Sequence, residues 1–155
     1  MSIQARLTEL GIELPVSPAP LANYCPAIRT GSLLIVSGQL PLTDGKLADA
    51  HRGKLGATIF NEAGQSSARL AALNVLAQAN AALGSLEKVR RVVRLGGFIN
   101  CAPGFLALPA VMNGASDLMV AVFGERGRHA RTTVGVSELP LDAAVEIEAM
   151  FEVVD

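Results

Sequence analysis

Two residues in this sequence combine a reactive type with a useful position: Arg131 and Glu146. Arg131 opens the β-branched run Thr132-Thr133-Val134-Gly135-Val136, directly after a glycine- and charge-rich loop, Gly124 to Ala130. An arginine there is commonly a solvated surface charge, yet its planar fork of donors is also the natural partner of a carboxylate. Glu146 stands in the alternating run Val145 to Val153, as either a solvated carboxylate or a group able to carry a proton. The remaining candidates carry less. Cys25 or Cys101 could be paired with His129 as a nucleophile and base, but no third orienting group is evident, and small buried thiols are the commoner role. His51 and His129 fall in turn-rich segments and read as solvated rather than metal-bound. Motifs recognisable by spacing are absent: there is no GxGxxG, Walker lysine loop, HExxH or paired CxxC, and Ser37 lacks the GxSxG elbow.

Composition narrows the function classes. With 155 residues, half of them apolar, the chain can bury a core as a single domain without disulfides or a metal. Thirteen basic and 14 acidic residues leave a net charge of -1, which gives no general attraction to nucleic acid or to an anionic membrane. Two cysteines cannot build a disulfide framework, and the N-terminus lacks the continuous apolar core of a signal peptide. No apolar run reaches membrane-spanning length. A cytoplasmic protein without membrane attachment is the expectation.

The elements that must position Arg131 and Glu146 follow from periodicity. Ser2 caps a short helix with Ile3, Leu7 and Leu10 on one face and Gly11 as its stop, followed by an arm punctuated by Pro15, Pro18 and Pro20. Residues 1–23 are read as this helix and arm, and 24–155 as the domain proper. Tyr24 to Arg29 and Leu33 to Val36 flank Thr30-Gly31-Ser32 as a hairpin. Asp44-Gly45, Gly53 and Gly56 mark turns, with a short strand near Leu55 to Ile59. An Ala-rich helix is predicted from Asn61 to Leu83, a strand from Val89 to Ile99, and a second helix from Pro109 to Phe123. Arg131 to Ser137 and Ala144 to Val153 then read as a second hairpin through Leu139-Pro140-Leu141-Asp142, which would set Arg131 opposite Met150. The order β-β-α-β-α-β gives an α+β fold, two helices on one face of a mixed sheet. Its other face is left for another subunit.

At this point a family resemblance becomes visible. Arg131-Thr132-Thr133-Val134-Gly135-Val136, Leu139-Pro140 and Val145-Glu146-Ile147-Glu148 resemble the signature of the YjgF/RidA family, also named endoribonuclease L-PSP. Asn23-Tyr24, Ile35 to Pro41, Gly84-Ser85-Leu86 and Asn113 resemble further family positions. The resemblance implies a chorismate-mutase-like fold, a homotrimer with clefts between subunits, and hydrolysis of enamines and imines such as 2-aminoacrylate and 2-iminobutanoate. It assigns Arg131 to the substrate carboxylate and Glu146 to the attacking water, with Tyr24, Ser37, Gly38 and Asn113 lining the cleft. Such chemistry needs no cofactor and no metal, only an oriented electrophile and one acid–base group. Thr133 stands where cysteine is frequent in the family, and is taken as a further substrate-binding position. The N-terminal extension and the Cys101 to Pro109 loop are additions that point to a longer subgroup. Within one hairpin Arg131 and Glu146 would stand roughly 13 Å apart at the usual strand rise, so a shared cleft calls for neighbouring chains. A non-catalytic sensor of small carboxylates is the alternative; a ribonuclease is disfavoured by the neutral charge, the lack of Trp and the single Tyr.

Overall fold

The structure is a computed structural model describing residues 1–17 and 23–155; the expected punctuation at Pro18 and Pro20 lies outside the described residues. Helix α1 (Ile3–Glu9) starts where the Ser2 hydroxyl accepts a hydrogen bond from the Ala5 N–H, satisfying one of the free donors of the first turn. Its Ile3 and Leu7 are buried in the core of the whole chain, and Arg6 Nε donates to the Ala121 carbonyl at 2.8 Å. The helix is thus docked on the body of the domain.

Strands β1 (Ala27–Thr30) and β2 (Leu33–Gln39) form the expected hairpin. A two-stranded ribbon, β3 (Leu42–Thr43) and β4 (Lys46–Leu47), turns at Asp44-Gly45. The expected strand near Leu55 to Ile59 is reduced to single bridges from Leu55 to Ile59 and to Cys101. Helix α2 (Asn61–Leu83) has the predicted bounds because Ala, Leu and Gln favour the helix throughout, and Gly84 ends it at φ 76° with its N–H on the Asn80 carbonyl. Ala68, Ala71, Ala72, Val75, Leu76 and Ala79 form its fully buried face. Helix α3 (Leu108–Phe123) crosses α2 so closely that a Cβ on Gly114 would strike the Gln65 carbonyl.

The main sheet has the order β1-β2-β7-β5-β6, with β5 spanning Val89–Asn100, β6 spanning Ala130–Val136 and β7 spanning Val145–Val153. Both long helices cover one face. On β7 the burial alternates residue by residue, so Val145, Ile147, Ala149, Phe151 and Val153 face the helices and Glu146, Glu148 and Glu152 the open side. Burying Phe151 alone contributes about 2–3 kcal/mol of transfer free energy. The open face carries Ile28, Ile35 and Val134, 56%, 37% and 41% exposed. Ile28 and Ile35 pair across β1 and β2 while Val134 lies on the opposite edge strand, so apolar side chains left in water at both edges of one sheet face make that face a surface fit for association.

The predicted second hairpin is not formed. β6 runs parallel to β5 on the sheet's outer edge, and β7 lies between β2 and β5, antiparallel to both. Arg131 is therefore level with Leu95, and Leu95 with Ala149, rather than Arg131 opposite Met150. The reason is the β5–α3–β6 crossover. A helix that returns over the sheet lays the next strand parallel to the one before, so the link to β7 must pass β5. That link is anchored to the end of β5, where buried Asn100 donates to Asp142 Oδ1 at 2.9 Å and accepts from Lys54 Nζ at 2.7 Å. Leu141 and Asp142 take positive φ there, at 59° and 57°, a conformation that costs a non-glycine residue about 1 kcal/mol and is held by these contacts.

Candidate functional site

The residues singled out in the sequence fall into two groups. The first is built on the edge strand and α3. Arg131 shares the helix-side face of β6 with Thr133, and its guanidinium reaches across to α3: Nη1 donates to Asn113 Oδ1 at 2.9 Å and to Ser116 Oγ at 3.1 Å, and Nη2 to the Pro109 carbonyl at 3.4 Å. Every one of these acceptors is neutral. Among the described residues no carboxylate lies within ion-pair distance of Arg131, although seven such pairs occur elsewhere. The guanidinium thus faces no counter-charge at an exposed edge of the sheet, where an anion can reach it. Thr133 Oγ1 is buried and has no hydrogen-bond partner. A donor left without an acceptor beside an uncompensated cation is a place for an anionic or carbonyl oxygen.

The second group lies on the other side of the sheet. Glu146 projects onto the open face over Gly38, and a Cβ at Gly38 would collide with the Glu146 carboxylate. Glycine there makes the space the acid occupies. Partial burial, followed by repulsion from neighbouring Glu148, raises the Glu146 carboxyl above its ordinary value of 4.5. Glu148 is engaged by Arg94 at 3.1 Å, whereas Glu146 is in none of the ion pairs. Beside Gly38, Ser37 Oγ donates to the Cys25 carbonyl at 2.8 Å, fixing the chain next to Tyr24, which is 57% exposed.

Within one chain the two groups do not meet. Glu146 is level with Phe98, three residues along β5 from the Leu95 that pairs with Arg131. Two strand spacings and three residue rises put their Cα atoms roughly 14 Å apart, and the side chains leave opposite faces of the sheet. Two grooves of the single chain lie elsewhere, one along α1 by Leu7, Ile12 and Asn80 and one by Arg69 and Asp117 between α2 and α3. Neither touches Arg131 or Glu146.

Some functional candidates were invisible in the sequence. Ser116 and the Pro109 carbonyl hold Arg131, and the only available signal was that Asn113 and Ser116 are three apart on one face of α3. His129 is not freely solvated as expected: it is half-buried, with Nδ1 2.6 Å from the Gly127 carbonyl and Nε2 3.0 Å from Ser116 Oγ. His51 is also half-buried, against Ser67 Oγ at 2.7 Å, and desolvation lowers its pKa. Cys25 is exposed rather than buried and Cys101 is half-buried below Gly135. Among the described residues no group of three or more His, Cys, Asp or Glu is placed to hold a metal, and no helix is long and apolar enough to cross a membrane.

Known proteins share this framework. Protein TCP17 of Trypanosoma cruzi is 48% identical over 151 residues, 97% of this chain and 93% of that protein. A 2-iminobutanoate/2-iminopropanoate deaminase of Dermatophagoides farinae is 30% identical over 139 residues, 90% and 92% of the two chains. The crystal structure of Atu1372 from Agrobacterium tumefaciens superposes with a TM-score of 0.90 at 48% identity, covering 98% of this chain and 92% of that one. Residues 4–153 match the family described as "YjgF/chorismate mutase-like, putative endoribonuclease", and the chain belongs to that family.

Proposed function

We propose that the protein hydrolyses reactive enamines and imines of amino acids, 2-iminobutanoate and 2-iminopropanoate among them, in clefts completed between the subunits of a cytoplasmic homotrimer. The observation that carries this reading is the Arg131 guanidinium, held by Asn113, Ser116 and Pro109 with no carboxylate to neutralise it. A substrate carboxylate fits that vacancy in charge and in fork geometry. The C=N carbon beside the carboxylate is then fixed in direction, which supplies the orientation a hydrolysis needs. Glu146, its carboxyl raised by burial, holds a proton closer to neutrality than an exposed glutamate would. Water adds its oxygen to the imine carbon, its protons pass to nitrogen through Glu146, and the C–N bond breaks with its electron pair leaving on ammonia. The products are a 2-oxo acid and ammonia, and no cofactor or metal enters the balance.

Because the two groups leave opposite faces of one sheet, the cleft requires Arg131 from one chain and Glu146 from its neighbour, with Tyr24, Ser37, Gly38, Asn113 and Thr133 around the ligand. The open sheet face with Ile28, Ile35 and Val134 is the surface that would pack in the trimer. The Dermatophagoides relative carries the deaminase name, which supports the same reading. Helix α1, docked on the body of the domain, supports reading the chain as one of a longer subgroup of the family.

A second reading keeps Arg131 and drops catalysis: a regulatory protein that senses a small carboxylate. It is favoured by the completeness of the Arg131 group within one chain, without Glu146. A ribonuclease, the activity in the name of one Shewanella oneidensis neighbour, has less behind it, given the net charge of -1 and the absence of Trp. The deciding experiment follows freshly generated 2-iminobutanoate with semicarbazide as competing trap. Turnover by the protein lowers the trapped product, and Arg131→Ala restores it. Unchanged trapping, together with saturable binding of 2-oxobutanoate, would replace the deaminase by the sensor.

A further inference from the structure

We infer that Ser116 and His129 are positioning residues that aim the Arg131 guanidinium, through a hydrogen-bond relay with a single direction. The Gly127 carbonyl has no proton to give, so His129 Nδ1, 2.6 Å away, carries the hydrogen of that contact. In the neutral ring Nε2 is then a bare acceptor. Ser116 Oγ lies 3.0 Å from it and must donate its only proton there. A serine inside a helix otherwise turns its proton back to the carbonyl four residues earlier; here the imidazole draws it outward. With its proton committed, Ser116 Oγ is an acceptor towards Arg131 Nη1 at 3.1 Å. The chain of donors runs from arginine to serine to histidine to the Gly127 carbonyl, and bonds aligned this way polarise one another.

The far end of the relay is fixed by packing. Gly127 is buried, and a Cβ there would overlap the Met119 carbonyl of α3, so the Gly124–Gly127 turn is pressed directly against that helix. His129 therefore refers the guanidinium to α3 by a second route, independent of Asn113. Asn113 fixes one edge of Nη1 and Ser116 the other. The outward-facing N–H groups are left at a defined angle for an oxygen pair. A bidentate carboxylate contact loses strength steeply when the fork is misaligned, which gives the relay its purpose.

The ligand-binding part of this inference rests on the proposed function; the relay itself does not, and the test separates them. Nitrogen-15 NMR of the intact protein should find His129 protonated on Nδ1 and bare on Nε2. Ser116→Ala should shift the Nε2 resonance and speed rotation of the Arg131 guanidinium, while Ser116→Thr, which keeps the hydroxyl, restores both. In turnover or 2-oxobutanoate titration, Ser116→Ala and His129→Phe should each raise KM or Kd about 5–10-fold with kcat changed by less than about 2-fold, and the double variant should be no worse than either. A His129 protonated on Nε2, or fully additive single effects, overturns the proposal. If wild type neither turns over imines nor binds 2-oxobutanoate, the functional reading fails, and the tautomer and the arginine rotation still decide the relay.

Discussion

The Arg131 and Glu146 sides of the molecule are built on opposite plans. Arg131 is exposed, charged and surrounded by neutral acceptors that fix its direction without touching its charge. Glu146 is half-buried, free of any ion pair, and seated where Gly38 withholds a side chain. One side invests in orientation and keeps its charge available; the other invests in desolvation and makes its charge costly. Binding an anion demands the first and moving a proton the second.

Arg131→Ala should have the largest effect, a loss of about 100-fold or more in kcat/KM and in 2-oxobutanoate affinity, because a charge-assisted bidentate contact disappears. The semicarbazide assay and a calorimetric titration measure the two quantities. Should Arg131→Ala retain full affinity, the two-plan comparison breaks at its first half. Glu146→Gln should lower kcat by about 100-fold, the usual scale for a lost acid–base group, while Kd for 2-oxobutanoate moves less than about 2-fold. A parallel rise in Kd would mean that Glu146 binds rather than transfers protons.

Mixing the two inactive variants sharpens the comparison further. If each cleft takes Arg131 from one chain and Glu146 from the next, random reassembly at equal amounts recovers about a quarter of wild-type activity, since one cleft in four receives both intact residues. Reassembled protein that stays inactive would put both residues of a site in one chain. Gly38→Ala should have a smaller effect, about 10-fold in kcat, as the new methyl displaces the Glu146 carboxylate. Its circular dichroism spectrum should be unchanged, since the atom it strikes ends a flexible side chain.

The smallest effect concerns stability and pH. A carboxyl whose folded pKa lies above its unfolded value favours folding fully below the unfolded value, and that contribution is lost as pH rises through the folded one. For Glu146 the window opens near 4.5 and extends upward. Glu146→Gln should therefore gain relative to wild type from pH 4 to pH 7 in urea denaturation. With about half the group open to solvent the gain is under about 1 kcal/mol. A constant difference across that range would remove desolvation as the distinguishing property of this side.

The sequence made the local elements legible and left the sheet order obscure. Asn61 to Leu83 could be bounded because helix propensity and Gly84 act within a few residues. The alternation on β7 announced its buried face for the same reason. β6 and β7 misled because a short link between two apolar runs looks alike whether it closes a hairpin or steps past β5. What decides is Asn100, 42 residues before the Asp142 it holds, and no local pattern encodes that contact. At the site, Arg131, Asn113 and Glu146 were readable by type and by family resemblance. Ser116 and His129 were not, since their meaning lies in hydrogen bonds between segments.

The β5–α3–β6 crossover also separates the two sides in folding. Asn113 and Arg131 are 18 residues apart along the chain, whereas Gly38 and Glu146 are over a hundred apart. Closing the longer loop costs about 1.5 kcal/mol more chain entropy, so the anion clip can assemble within one crossover unit while the acid's seat waits for the two ends of the chain to find each other. Partial unfolding that frees β7 from β2 would therefore cost the molecule its acid before its cation, leaving a species in which the Arg131 clip on α3 outlasts the seat of Glu146.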